Sequence, residues 1–366
     1  MIDQAPRTLR EWQCQAIACL RAEQAEAEAT PLIELALQGA PGIRLFLKDE
    51  SAHPSGSLKH RLARSLYLHA LCSGRLGPDS IVVEASSGST AVSAAWFARL
   101  LGLTFVAVVP ASTAAEKIAQ IEAFGGTCHT TSDPRQICAE AARIAAESGG
   151  YHLDQFTHAE RASDYRGSAN IALELFEQLA ASGETNPHWI VCGAGTGGTA
   201  TTIGRHVRYT GHTTQVCLAD PAASVFHRHY ADRSVLSVDG PVSCVEGIGR
   251  ARVELSFSPD LIDRVCVVED ACGIAAAQHL SRVLGRRVGP STGVNLHAAI
   301  GLIGEMVANG ETGSVVTLLC DPGERYLSTV YQAAWCAERG FTGEAAHPAL
   351  ARFLPAEAIE GARKAA

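Results

Sequence analysis

Lys59 lies in Pro54-Ser55-Gly56-Ser57-Leu58-Lys59-His60-Arg61, where a small polar turn runs into an apolar-periodic stretch. Burial and the positive end of a helix dipole both disfavour an ammonium, so an amine at this place is easily neutralised. A neutral amine condenses with an aldehyde. Far downstream, Gly193-Ala194-Gly195-Thr196-Gly197-Gly198-Thr199 follows an apolar run and opens a second helical pattern. Glycines there let backbone N–H groups at a helix start close on a phosphate. A reactive amine and a separate phosphate cradle suit pyridoxal 5′-phosphate (PLP), an aldehyde that carries a phosphate. The plain alternative for Lys59 is a solvated surface side chain, the usual place for lysine.

The glycine loop has other readings. Its glycines at 193, 195 and 198 spell Gly-x-Gly-x-x-Gly, and Asp220 ends the following strand. An acid roughly 20 residues on completes a dinucleotide fingerprint. No lysine follows the glycines, which excludes a Walker loop. A close strand–helix turn without a ligand is the third possibility. A second loop, Glu84-Ala85-Ser86-Ser87-Gly88-Ser89-Thr90, offers hydroxyls, a glycine and a helix start, a nest suited to a carboxylate. Ordinary capping needs one hydroxyl, and this loop supplies four. A third, Cys320-Asp321-Pro322-Gly323-Glu324-Arg325-Tyr326, is by itself only a turn signal.

Alternating strands and helices must position these loops. Strands are expected at Arg44–Lys48, Ser80–Ala85, Thr104–Val109, Thr127–Thr131, Trp189–Cys192, Gln215–Ala219, Arg264–Val268 and Ser314–Leu319. Helices are expected from Leu58 to about Gly74 with Leu58, Leu62, Leu66 and Leu71 inward, and at Thr90–Leu101, Ala115–Phe124 and Pro134–Ser148. Further helices read at Asp164–Ala181, Thr199–Tyr209, Asp270–Leu284 and Gly293–Ala308. The tail beyond Tyr331 reads as helices packed on the surface or on a partner. Repeated β-α-β units with apolar strands imply parallel sheets covered on both faces. Ligands of such sheets sit at the carboxyl ends of the strands.

The 366 residues are enough for one large or two ordinary domains. Apolar residues make up 47% and charged residues 19%, a globular balance. A formal net charge of −8 argues against nucleic acid, whose phosphates need a basic surface. No apolar run reaches the roughly 18–20 residues of a membrane span. The start, Met1-Ile2-Asp3-Gln4, lacks a secretory signal, so a cytoplasmic protein is expected. Without an oxidising compartment the 12 cysteines read as reduced. Cys192, Cys217, Cys266 and Cys320 fall in or beside apolar strands as small hydrophobes, and nothing stands at metal-ligand spacing.

Six segments in order resemble the fold-type II PLP enzymes of the cysteine synthase and cystathionine β-synthase family. They are Ser57-Leu58-Lys59-His60-Arg61, Ser86-Ser87-Gly88-Ser89-Thr90, Gln155-Phe156, Gly195-Thr196-Gly197-Gly198-Thr199, Glu246-Gly247-Ile248-Gly249 and Gly323-Glu324-Arg325-Tyr326-Leu327-Ser328-Thr329. The resemblance covers about residues 40–335, and the dinucleotide reading explains only one of the six. The segments Glu84–Thr90, Pro54–Ser65, Val288–Gly293 and Gly247–Arg250 look closest to bacterial L-cysteine desulfhydrases.

The resemblance implies an α/β fold of PLP fold type II, two doubly wound α/β/α domains with the cofactor in the cleft between them. Residues 1–52 with 163–366 would form the larger, phosphate-binding domain, and 53–162 the smaller, mobile one. Lys59 would hold PLP and, once freed, take the Cα proton. Gly195, Thr196, Gly197, Gly198 and Thr199 would bind the phosphate. Ser86, Ser87, Gly88, Thr90, Gln155 and Gly247 would bind the substrate, mainly through its carboxylate. Two positions depart from the cysteine-synthase pattern: Ser89 replaces the Asn that faces the cofactor's 3′-oxygen, and Pro322 stands where a Ser meets the ring nitrogen.

Expected chemistry is β-elimination of L-cysteine to pyruvate, ammonia and hydrogen sulfide. The alternative is replacement on an O-activated serine by sulfide, which shares every step up to loss of the β-substituent. A PLP-binding paralogue without turnover is the third reading. The partners implied are a small amino acid and a second copy of the chain, with the N-terminal helices and C-terminal tail as candidate contacts. His53 and His60 are expected at the surface, and Arg61, Arg325 and Tyr326 as fixers of loop geometry. Arg250 and Arg252 would orient an anionic substrate or shield the cleft.

Overall fold

A computed structural model describes residues 8–167, 170–341 and 348–355. The chain enters through α1 (Leu9–Glu26), opened by a capping box in which Thr8 Oγ1 accepts from the Glu11 N–H and Glu11 accepts from the Thr8 N–H. An antiparallel pair follows, β1 (Leu32–Leu35) and β2 (Ile43–Asp49). The first alternating run is α2 (Lys59–Cys72), β3 (Ile81–Ala85), α3 (Ser89–Leu101), β4 (Thr104–Pro110), α4 (Ala115–Glu122), β5 (Thr127–Thr131), α5 (Ile137–Glu147), β6 (Tyr151–His152) and α6 (Gln155–Ala162). The second is α7 (Ile171–Ala181), β7 (Trp189–Cys192), α8 (Gly198–Thr210), β8 (Gln215–Pro221), α9 (Phe226–Ala231), β9 (Arg264–Val268), α10 (Asp270–Leu284), α11 (Pro290–Asn309), β10 (Gly313–Leu319), α12 (Ala333–Glu338) and α13 (Pro348–Phe353).

Two compact units result. The first joins the residues up to Ala29 with His53–Asp164, and the second joins Thr30–Ala52 with the chain from Tyr165 onward. The sequence reading keeps 1–52 with the larger domain, but the break falls after Ala29. The reason is a stripe on α1: Trp12, Ala16 and Leu20, four residues apart, are buried in one cluster with Leu66, Tyr67 and Ala70 of α2. Glu23 adds a hydrogen bond to His60 and an ion pair to Arg64.

In the first unit the sheet runs β5-β4-β3-β6, all parallel. Its central strands, β3 and β4, are largely apolar because both faces of the sheet are covered there. Val82, Phe105, Ala107 and Val109 pack with α1, α2 and α3, while the alternate residues Val83, Ala85 and Val108 pack on Ala141 and Ala145 of α5. The inner face of α2 is His60, Ala63, Arg64, Tyr67, Ala70 and Leu71. Leu58 and Leu62, expected inside, are only partly buried.

In the second unit the order is β1-β2-β10-β7-β8-β9, with only the edge strand β1 antiparallel. Leu45, Leu47, Val191, Cys217, Ala219 and Val315 face α10 and α11. Those two helices touch closely: a Cβ on Gly293 would lie 2.0 Å from the Gly273 carbonyl oxygen. The expected helix from Asp164 starts only at Ile171, where the Asn170 side chain accepts from the Leu173 N–H.

Candidate active site

A parallel sheet opens a crevice where its strand order reverses, outside the carboxyl ends of the two flanking strands. In the first unit that point lies between β3, continued by β4 and β5 on one side, and β6 on the other. The loops leaving there are 86–88 and 153–154, and they carry the expected carboxylate residues. Ser86, Ser87, Gly88 and Ser89 are partly buried, and Thr90 and Gln155 are buried. The Thr90 hydroxyl donates to Gln155 Oε1 at 2.8 Å. Gln155 in turn donates to Glu84, from Nε2 at 3.1 Å and from its backbone N–H at 3.4 Å. Asp154, which caps α6, holds the left-handed backbone rarely used by residues other than glycine (φ 48°).

Lys59 is the first residue of α2 and partly buried, its N–H donating to Ser57 Oγ at 3.3 Å. The helix start is held from beneath. His60 is fully buried, with Nδ1 3.0 Å from Ser55 Oγ and Nε2 3.0 Å from Glu23 Oε1. Ser55 Oγ meets Ser93 Oγ of α3 at 2.8 Å, and Arg64 donates to Glu23 at 2.6 Å. Burial alone would raise Glu23, but hydrogen bonds from His60 and Arg64 hold it below the usual carboxylate range. Burial lowers His60 despite Glu23. The surface placement expected for His53 and His60 is therefore wrong: both are buried and stack with centroids 4.9 Å apart.

The second unit reverses its order between β7 and β10. The loop after β7 is the glycine loop 193–199, and the loop after β10 is 320–323. Gly197 is the left-handed residue before α8 (φ 89°), and a Cβ there would strike Phe257 Cα at 2.6 Å. A Cβ on Gly195 would lie 2.3 Å from the Gly247 carbonyl oxygen, so the two segments touch through bare backbone. The Gly249 N–H donates to the Ala194 carbonyl at 2.8 Å, binding the 246–249 segment to this loop. Thr196 Oγ1 accepts from the Gly198 N–H at 3.2 Å.

The loop after β10 is stitched to the start of α11. Pro322 pairs with Val288, the Gly289 N–H donates to the Asp321 carbonyl, and the Cys320 N–H donates to Thr292 Oγ1 at 3.0 Å. Tyr326 OH donates to Asp321 Oδ2 at 2.7 Å, which fixes this turn. Ser291 and Thr292 are buried beside it.

Other candidates find partners elsewhere. Asp220, the acid of the dinucleotide pattern, is buried and accepts from the His227 N–H and from its ring Nδ1, both at 2.9 Å. Arg250 and Arg252 both approach the buried Glu254, at 2.7 and 3.5 Å. All 12 cysteines are free thiols, and Cys266 is only partly buried. Among the described residues no helix is long and apolar enough to cross a membrane, and no group of three or more His, Cys, Asp or Glu could hold a metal.

Comparison with known proteins decides the family. Residues 24–321 match the family described as pyridoxal-phosphate dependent enzyme. The chain belongs to the pyridoxal-phosphate dependent enzymes. It is 51% identical over 348 residues to L-cysteine desulfhydrase Cds1 of Mycobacterium tuberculosis, covering 94% of this chain and 95% of that one. A putative cysteine synthase of Sinorhizobium fredii is 30% identical, over 85% of this chain and 90% of the relative. Among solved structures, the hydrogen sulfide-producing enzyme from Fusobacterium nucleatum superposes with a TM-score of 0.75 at 25% identity, over 86% of this chain and 92% of that one. The fold is therefore PLP fold type II, and the cofactor of this family is pyridoxal 5′-phosphate.

The residues present fit that cofactor. The 193–199 loop has no acidic side chain, opens a 13-residue helix and has glycines where a side chain would collide with backbone. That is an anion cradle. Sequence reasoning did not single out Glu84 behind the second loop, or Ser291 and Thr292 beside the third. Proline at the first turn of α11 followed by two hydroxyls was the available signal for the latter pair.

Proposed function

We propose that this enzyme cleaves L-cysteine and water to pyruvate, ammonia and hydrogen sulfide. The observation that carries the reading is the 51% identity to L-cysteine desulfhydrase Cds1 over nearly the whole of both chains. Bound, PLP draws electrons from the substrate and stabilises the charge left when the Cα proton departs. Lys59 would hold the cofactor through Nζ and, when its amine is free, would take the Cα proton. Gly195, Thr196, Gly197, Gly198 and Thr199, with backbone N–H groups at the start of α8, would hold the phosphate, and Ser89 would stand toward the 3′-oxygen. Ser86, Ser87, Gly88, Thr90 and Gln155 hold the substrate carboxylate, with Gly247 lining the substrate site. Pro322 has no side-chain donor, so the ring nitrogen would need another partner, and the Ser291 hydroxyl, buried at the start of α11 beside this loop, would be the group to supply it.

Replacement on O-acetylserine is the second reading, favoured by the 30% identity to a putative cysteine synthase. The deciding experiment measures sulfide and pyruvate from L-cysteine, and in parallel cysteine from O-acetylserine plus sulfide. Matched sulfide and pyruvate, abolished in Lys59→Ala, establishes the desulfhydrase. Cysteine formation with little pyruvate moves the assignment to synthase, and silence in both to a paralogue without turnover. The enzyme is further inferred to act in the cytoplasm as a homodimer. Leu236, Val242 and Leu255, large apolar side chains left 62–74% exposed, are candidate contacts, and sedimentation equilibrium tests it.

A further inference from the structure

Glu84 has no role in the scheme above, yet it stands behind the carboxylate loop. It is the penultimate residue of β3, two positions before Ser86, and is fully buried. Its two oxygens take both amides of a single residue, the backbone N–H and the side-chain Nε2 of Gln155. An amide whose NH2 is committed to a carboxyl turns its oxygen the other way, and that oxygen accepts the Thr90 hydroxyl. Two residues from loops on opposite sides of the switch point are thus oriented through one carboxyl.

We propose that Glu84 is the positioning residue of the substrate-carboxylate site: it fixes the Gln155 amide, which the Thr90 hydroxyl braces by donating to its oxygen, and its charge gates the affinity of the site for a carboxylate. The proposal rests on the carboxylate role assigned above to Ser86, Ser87, Thr90 and Gln155.

Burial, with the charge of Asp154 behind it, pushes Glu84 up to about 8, against the pull of the donors from Gln155 and Ala85. The ionisable groups that bear on it are Asp154 at the start of α6 and Tyr67 of α2, itself fully buried and pushed up. Below that pH the carboxyl is neutral and still accepts from Gln155. Above it, a buried negative charge stands behind a site meant for another one, and attraction for the substrate carboxylate falls. The rise belongs to KM, because the chemical step does not touch Glu84.

The test follows kcat and KM for sulfide release, and the Kd for L-serine by calorimetry, from pH 6.5 to 9.5. It uses the PLP-loaded wild type, Glu84→Gln and Asp154→Asn. If only the neutral form binds, Glu84 contributes about a tenfold rise in KM and Kd between pH 7 and 9. Titration of the substrate's own amine and thiol is common to all three proteins and cancels on comparison. Glu84→Gln should lose that tenfold component. Asn keeps a capping side chain tolerant of the left-handed region and removes the charge pressing on Glu84, so Asp154→Asn should move the rise to lower pH.

Parallel pH profiles in wild type and Glu84→Gln, or a change confined to kcat, would overturn the proposal. If Glu84→Gln does not fold, Asp154→Asn decides alone: a shifted rise supports the gate and an unmoved one refutes it. If the wild type releases neither sulfide nor pyruvate, the desulfhydrase reading fails while the L-serine Kd still judges Glu84.

Discussion

Replacing Glu84 by Gln should change the stability of the first unit in a pH-dependent way whose size follows from its burial. The folded protein keeps a proton on Glu84 up to about pH 8, whereas the ordinary value for the group is 4.5. Between these values unfolding releases a proton, so the native state binds more protons and stability falls as pH rises. The slope is at most about 1.4 kcal/mol per pH unit, and from pH 5.5 to 7.5 the loss amounts to about 2.5 kcal/mol. The substituted glutamine cannot ionise and escapes this loss. Its own NH2 faces the Gln155 N–H, which costs on the order of 1 kcal/mol at every pH and leaves the slope untouched. Urea unfolding read by Trp12 and Trp96, both in the first unit, measures the gap at pH 5.5, 6.5 and 7.5. The variant should gain steadily on the wild type. A gap constant to about 0.5 kcal/mol would mean that Glu84 is ionised in the native state throughout, and that the donors from Gln155 and Ala85 outweigh burial.

Three other outcomes are expected. Gly195→Ala places a methyl 2.3 Å from the Gly247 carbonyl, a backbone atom that cannot swing aside. The loop must therefore move, and PLP affinity in a reconstitution titration should fall at least about tenfold, at a stability cost of about 1–3 kcal/mol. Lys48 is fully buried and its Nζ reaches the Thr30 carbonyl at 2.7 Å, Gln178 Oε1 at 2.6 Å and Glu174 Oε1 at 2.5 Å. Lys48→Met removes the cation beside Glu174 and should cost about 3 kcal/mol in urea unfolding followed through Trp189. The Cys266 thiol is pulled down to about 7 by the hydrogen bond from Cys217, which with Arg264 beside it overcomes burial. Its alkylation by iodoacetamide should rise through half-maximum near pH 7, and Cys217→Ala should move that profile upward.

The regular part of this fold is legible in the sequence because burial on both faces of a parallel sheet leaves apolar strands between glycine-rich stops. Thr127–Thr131, Trp189–Cys192, Arg264–Val268 and Asp270–Leu284 are delimited to the residue. Two other elements, β1 and α6, carry no such signal. β1 has four residues with only Leu35 buried, and α6, Gln-Phe-Thr-His-Ala-Glu-Arg-Ala, buries only Gln155 and Ala159. The inner stripe of α2 misleads for a different reason. Its inner face holds His60 and Arg64, polar residues made tolerable by Glu23 some 40 positions earlier. No local pattern announces such a partner. Glu84 is hidden likewise, since Gln155 lies 71 positions away. Ser291 falls inside the Val288–Gly293 segment, yet only tertiary contacts, the pairing of Pro322 with Val288 and the hydrogen bonds of Gly289 and Thr292, bring that helix start beside the third loop.

The costs in the first unit are not spread evenly. A fully buried carboxyl raised to about 8 and a non-glycine residue with positive φ sit within two positions of Ser86 and Gln155. The buried cluster of His60 with Glu23 and Arg64, by contrast, is paired by hydrogen bonds. Folding alone requires neither Glu84 nor the Asp154 backbone, and an apolar residue at the end of β3 would pack as its neighbours do. Concentrated cost at one pair of loops is what a site pre-set for a ligand produces. It follows that Glu84→Gln must move two properties together at alkaline pH, raising stability and removing the fall in carboxylate affinity. Stability rising with affinity unchanged would show that the cost at Glu84 is a packing accident and not part of the site.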